Sequence, residues 1–231
     1  MRHKVGAIIL AAGSGSRFGG YKQFARVAGK TILEHAIRLC VPFVNEIVLT
    51  LPAAFISKGL SRSVVGGKNR LESIMCGYNL MRSLGGCDKM LIVDASRCNT
   101  ASRVIRELLD ALDLVDCAFP VIKATNTVCT LDKQIVIQSK VGMYEHQTPT
   151  ALRWDTLTQC MLHAADDDGF SMAYVVTKYK LGTTMVTRGD DYNMKVTNPS
   201  DLQLFSVLQA SKKGKEELIH APQWGGCYEP H

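Results

Sequence analysis

Apolar residues along this chain fall into two alternating kinds of stretch. Short unbroken runs at Val5–Leu10, 46–50, Ser63–Val65 and 89–93 have the form of strands buried on both faces. Other apolar residues recur at helical spacing: Leu71, Ile74, Met75, Tyr78 and Met81, then Val104, Ile105, Leu108, Leu109 and Leu112. A capping box, Thr31-Ile-Leu-Glu34, opens a further helix to about Cys40. Strand and helix in alternation predict an α/β fold on a mostly parallel sheet.

The rhythm breaks after residues 117–122. Residues 127–131 and 134–138, with a turn at Asp132-Lys133, alternate in polarity and predict a β-hairpin. It would project as an arm over about 123–141, a natural contact for a homodimer. Helices are expected from Arg153 to about Ala164 and from Ser171 to Tyr179, a strand at 183–187, and a short extended piece at 193–197. Asn198-Pro-Ser-Asp201 then starts the last helix. Residues 1–210 read as one domain. From Ser211 a linker and tail follow, holding Trp224 and Tyr228 with no predicted core to join.

Composition narrows the class. A chain of 231 residues with 46% hydrophobic and 21% charged residues has enough material for a substantial core. The formal charge of +6 suits anionic substrates, but its cations are scattered, which argues against nucleic acid as the partner. Eight cysteines form no C-x-x-C pair and mostly sit in apolar stretches, as reduced core thiols would. The six histidines show no metal-ligand spacing, and Asp166-Asp-Asp168 reads as an acidic turn. The first ten residues do not form a signal peptide and no apolar run reaches membrane-spanning length, so a cytoplasmic location is expected.

The chemistry is centred on Leu10-Ala-Ala-Gly-Ser-Gly-Ser-Arg-Phe-Gly-Gly-Tyr-Lys-Gln23. Its glycines let the main chain wrap an anion with N–H groups, Arg17 and Lys22 supply charge, and the loop leaves a strand's carboxyl end. It is not the dinucleotide fingerprint, because Gly13 and Gly15 are followed by Phe18 where a third glycine belongs. Nor is it a P-loop: Gly29-Lys30-Thr31 has Phe24 in the place of the leading glycine.

Four further motifs follow, each near a predicted strand's end: Gly66-Gly67-x-x-Arg70-x-x-Ser73, Val93-Asp94-Ala-Ser-Arg97, Gln147-Thr148-Pro149 and Asn193-Met-Lys195-Val-Thr197. In this order they resemble the methylerythritol 4-phosphate cytidylyltransferase family and the related ribitol 5-phosphate cytidylyltransferases, from about Val5 to Phe205. The resemblance implies a Rossmann-like domain in which a phosphate oxygen of a polyol attacks the α-phosphorus of CTP, with Mg²⁺ on the phosphates. It places Arg17 and Lys22 on the triphosphate and Lys195 on the α-phosphate. Ala11, Ala12, Gly13, Gly15, Gly67, Arg70 and Ser73 fall to the nucleotide. Asp94, Arg97, Lys140 and Thr148 fall to the acceptor, with Asp94 also beside the metal and Lys140 reaching a neighbouring subunit.

The sequence departs from the family pattern at Tyr21, Val93, Cys98-Asn99 and Tyr192, mostly on the acceptor side. Tyr144-x-x-Gln-Thr-Pro149 is closer to the ribitol enzymes, favouring a pentitol phosphate for cell-surface polysaccharide over the isoprenoid precursor. A nucleotidyltransferase for another sugar or head-group phosphate, and a catalytically silent nucleotide-binding homologue, stay open as alternatives.

Overall fold

The structure, a computed structural model, describes residues 3–56, 62–131, 135–163 and 171–212. In chain order its elements are β1 (Val5–Leu10), β2 (Arg26–Val27), β3 (Lys30–Thr31), α1 (Ile32–Cys40), β4 (Glu46–Leu51), α2 (Ala53–Ile56), β5 (Ser63–Val65) and α3 (Arg70–Ser83). Then come β6 (Lys89–Asp94), α4 (Ser102–Ala111), β7 (Cys117–Lys123), β8 (Val128–Leu131), β9 (Ile135–Gln138), β10 (Tyr144–His146) and β11 (Thr150–Arg153). The chain closes with α5 (Trp154–Leu162), α6 (Met172–Tyr179), β12 (Thr184–Arg188) and α7 (Pro199–Lys212).

Among the described residues an eight-stranded sheet forms the centre, with β5, β4, β1 and β6 side by side and parallel. Beyond β6 the sheet turns mixed. β11 inserts antiparallel between β6 and β7, β10 shares that edge of β7, and β12 runs parallel along its other edge.

Side-chain alternation explains why the central strands are apolar throughout. Ala7, Ile9, Leu49, Leu51, Leu91 and Val93 face α1, α4 and α7, whereas Ile8, Val48, Met90 and Ile92 face α3, α5 and α6. Two cores therefore share one sheet. Fully buried Phe205 docks α7 by meeting His35 of α1 edge-on at 5.2 Å.

The expected capping box is present, with Glu34 N–H donating to Thr31 Oγ1 and Thr31 N–H to Glu34. The arm is an antiparallel β8–β9 hairpin with Val128 opposite Gln138. Its turn, the acidic run 166–168 and the aromatic tail lie outside the described residues. α7 runs through Ser211 to Lys212, into the expected linker, and the short elements β2, β3, α2, β10 and β11 form where none was expected. Among the described cysteines Cys40, Cys98, Cys117 and Cys160 are buried as expected, while Cys129 is exposed on the arm. No helix among the described residues is long and apolar enough to cross a membrane.

Candidate active site

Where β1 ends, the chain folds into a loop whose shape is fixed by its own backbone. Gly15 sits at φ 69°, and its carbonyl accepts from the N–H groups of Phe18 and Gly20. A side chain here would be strained and would strike the Gly20 carbonyl, so glycine is required. Beneath the loop the buried Gln23 donates from Nε2 to the carbonyls of Ala11 (2.8 Å) and Gly13 (3.1 Å).

A second loop closes against the first. Gly66 comes so near Ala12 that a side chain would collide with it. Ser73, on the first turn of α3, accepts from Gly67 N–H at 3.1 Å and donates to the Asn69 carbonyl. Asn69 caps the same helix by accepting from Glu72 N–H.

A third segment, 193–197, is strapped across the end of β6, with Val196 N–H donating to the Ser96 carbonyl. Asn193, fully buried, anchors it. Its Nδ2 donates to the Thr148 carbonyl, its Oδ1 accepts from Thr100 Oγ1, and its carbonyl accepts from Arg97 at 2.6 Å.

Together these loops enclose a cleft of about 540 Å³, with Arg17, Lys22, Lys68, Arg70 and Lys195 around a single carboxylate, Asp94. Lys22 Nζ donates to the Val196 carbonyl at 2.7 Å, tying the glycine loop to the strap. Burial, then the neighbouring Lys195 and Arg17, lower the Lys22 pKa from its ordinary value. Asp94 accepts from Arg70 Nε at 3.1 Å and from Lys195 Nζ at 2.9 Å. Burial would raise its pKa, but Arg70 and Lys195 outweigh that and hold the carboxyl well below the usual range.

The structure thus brings Ala11, Ala12, Gly13, Gly15, Arg17, Lys22, Gly67, Arg70, Ser73, Asp94 and Lys195 into one cleft. Arg97 and Thr148 lie just past Asp94 and are joined through Asn193. Thr148 precedes β11, whose first residue Thr150 pairs with Ile92, two residues before Asp94 on β6. Lys140 is not brought to the cleft of its own chain. It is exposed at the base of the arm, with Nζ on the Thr125 carbonyl. Arg70 and Ser73, expected at the nucleotide, are also engaged within the protein, Arg70 by Asp94 and Ser73 by Gly67 and Asn69.

The four departures from the family pattern are absorbed by local contacts. Tyr21 meets Phe55 of α2 edge-on at 5.0 Å, and Val93 is fully buried in β6. Asn99 donates to the Tyr192 carbonyl and accepts from Gln209 of α7, so this pair of changes forms a bridge from the strap to the last helix. Sequence reasoning assigned no role to Gln23, Asn193 or Lys68, although the first two stand beside lysines already singled out.

Comparison with known proteins places these features among relatives. The sequence model described as 2-C-methyl-D-erythritol 4-phosphate cytidylyltransferase matches residues 5–209. The enzyme of that name from Deinococcus radiodurans is 32% identical over 91% of this chain and 92% of its own length. A bifunctional ribulose 5-phosphate reductase/CDP-ribitol pyrophosphorylase from Haemophilus influenzae is 30% identical over 89% of this chain, which spans 48% of that protein. In fold, the chain is similar to 4-diphosphocytidyl-2C-methyl-D-erythritol synthase from Anaerococcus prevotii, with TM-score 0.75, 20% identity, and coverage of 90% and 98% of the two chains. A Thermus thermophilus relative gives TM-score 0.74 at 21% identity, covering 88% of this chain and 98% of its own.

Proposed function

We propose, from the premise that the chain belongs to the 2-C-methyl-D-erythritol 4-phosphate cytidylyltransferase family, that it transfers CMP from CTP to a phosphorylated polyol. The observation that carries this reading is the cleft at the ends of β1 and β6, where five cations surround one carboxylate. Such a site suits a reaction whose transition state gathers negative charge on phosphate oxygens.

The backbone N–H groups of the glycine loop, with Arg17 and Lys22, would hold the triphosphate. Lys195, set by Asp94, would face the α-phosphate from the opposite wall. An oxygen of the acceptor's phosphate attacks the α-phosphorus, the new P–O bond forms, the bond to the β-phosphate breaks, and pyrophosphate leaves. The protein's part is alignment and neutralisation rather than proton transfer. Gly67 and Ser73 would border the base and ribose, and Arg97 and Thr148 the acceptor.

The side chains do not by themselves make a metal centre. Asp94 is the one carboxylate in the cleft among the described residues, and cations already engage both its oxygens. Mg²⁺ belongs in this reading as an ion carried by the phosphates, in keeping with its habit of binding through substrate phosphates and water. Asp94, the carboxylate of the cleft, is the side chain that would approach such an ion.

Between acceptors, the names of the relatives favour methylerythritol 4-phosphate and isoprenoid synthesis. Ribitol 5-phosphate is the second reading, supported by the Haemophilus influenzae relative and by the segment ending in Gln147-Thr148-Pro149. We further propose a cytoplasmic homodimer joined through the arm, on which Val128 and Ile137 are exposed apolar residues. The test is pyrophosphate release with CTP and Mg²⁺ against both acceptors and a panel of other sugar phosphates. Turnover on one acceptor, lost in Lys22→Ala and Lys195→Ala, is the expected result; silence on all, with no stabilisation by CTP, would overturn the reading.

A further inference from the structure

Arg70 Nη1, in the cleft, and Thr148 Oγ1 and His146 Nε2, outside its lining, are buried polar atoms with no hydrogen-bond partner among the described residues, as are the hydroxyls of Thr50, Thr150 and Thr187 in the sheet. Arg70 and Thr148 already belong to the proposed site. His146, the last residue of β10, has no assigned part in it.

Its position is fixed from two sides. β10 pairs with the far half of β7, placing His146 opposite Val121, and the imidazole packs on Phe119 of β7 with ring centres 4.8 Å apart. The charged groups that act on the ring are Arg70, Arg97 and Asp94, all of the cleft's far end. Two residues on stands Thr148, whose carbonyl accepts from Asn193 Nδ2. Native interiors seldom leave polar atoms unpaired, so unpaired atoms within reach of the cleft's charged groups mark a place where a ligand completes the bonding.

We infer that His146 forms a wall of the acceptor subsite and hydrogen-bonds, through Nε2, a hydroxyl of the acceptor's polyol chain. The groups divide by chemistry. The guanidinium of Arg97 suits the acceptor's phosphate, whereas the Thr148 hydroxyl and a neutral imidazole suit hydroxyls. Burial, with Arg70 and Arg97 adding to it, pushes the His146 pKa down to about 4, so the ring is uncharged at neutral pH. It therefore offers direction without competing for phosphate, and it selects acceptors bearing a hydroxyl at that point. The inference rests on the cytidylyl-transfer reading for the identity of its ligand.

The test uses His146→Phe, which keeps a ring against Phe119 but removes both nitrogens, and His146→Gln, which restores a polar group. With methylerythritol 4-phosphate or ribitol 5-phosphate as varied substrate, His146→Phe should raise the acceptor KM roughly 10-fold, the loss of one hydrogen bond. The KM for CTP should stay within about twofold, and His146→Gln should recover part of the loss. An unchanged acceptor KM in His146→Phe would overturn the inference. A second readout needs no turnover: the His146 ring resonances of the wild-type protein should shift when either acceptor is added in the presence of CTP. Should the wild type be inert with every acceptor, the proposed reaction falls, and the ring resonances still decide for or against His146 as a contact of the phosphorylated polyols.

Discussion

Lys195 Nζ lies 2.9 Å from one oxygen of Asp94 while Arg70 Nε lies 3.1 Å from the other, so one buried carboxylate positions two cations supplied by distant parts of the chain. If Lys195 acts on the α-phosphate, Lys195→Ala should lower kcat by about 10²–10³-fold, as loss of other preorganised donors does. Asp94→Asn keeps the shape but removes the charge that aims both cations. We expect kcat to fall at least about 10-fold, with a smaller change in the KM for CTP. Steady-state pyrophosphate release measures both, and an Asp94→Asn enzyme with wild-type kcat would show that the pair is only structural.

The glycine loop depends on a polar residue held beneath it. Gln23 is buried and donates to two loop carbonyls. Replacing it with Ala strands both acceptors, at a cost of about 1–3 kcal/mol for each buried group left unpaired. Urea denaturation should report the loss. The same variant should bind CTP more weakly, because the loop's N–H groups lose their common aim; wild-type CTP affinity in a destabilised Gln23→Ala would disprove that link.

Much of this arrangement could be read from the chain before any coordinates. β1, β4, β5 and β6 are continuous apolar runs, and the cleft residues sit in short motifs at their ends, where local sequence and topology agree. β11 was invisible because four residues, Thr150–Arg153, show no period of their own. They become a strand only because a gap exists between β6 and β7. Gln23 and Asn193 were overlooked for another reason: periodicity marks apolar burial, and a polar residue buried by its hydrogen bonds leaves no such mark. Lys140 is a different case: the resemblance sends it to a neighbouring subunit, and in its own chain it stands exposed at the base of the arm, with Nζ on the Thr125 carbonyl.

Asn193 offers a separate test of the strap. Its side chain bonds Thr100 and the Thr148 carbonyl, and its carbonyl holds Arg97. Asn193→Ala should destabilise the fold by about 2–4 kcal/mol through unpaired buried groups and lower kcat with it, because Lys195 lies two residues away. Asn193→Asp keeps the acceptor oxygen yet sets a buried carboxylate against the Thr148 carbonyl, so it should be at least as unstable as Asn193→Ala. Equal kcat in all three proteins would separate the strap from catalysis.

Stability should fall with acid in two windows. His146 has its pKa pushed from 6.5 down to about 4, so the unfolded chain binds the proton first and stability declines as pH drops from about 6.5 towards 4. Asp94 has its pKa held below the usual range, so its contribution is present above about 4 and is lost as pH falls further. His146→Phe should flatten the first window and leave the second. Denaturation midpoints across this range check it, and a parallel decline in wild type and variant would refute the assignment.

Lys22 supplies the last prediction. Burial, Lys195 and Arg17, in that order, depress its pKa, so in the free protein these cations repel one another. A triphosphate among them reverses that term, and binding should appear as stability. At about 100 times its Kd a ligand adds about 2.7 kcal/mol, which for a domain of this size raises Tm by roughly 5–10 °C. Lys22→Ala removes one of the mutually repelling charges as well as a triphosphate contact. Its Tm without nucleotide should therefore change little, the relieved repulsion offsetting the lost bond to the Val196 carbonyl, while the shift with CTP shrinks to a fraction of the wild-type value. Added salt should erode the wild-type shift, since phosphate contacts are screened. A Lys22→Ala protein that is less stable alone yet shifts fully with CTP would place Lys22 in the framework of the loop instead of on the triphosphate.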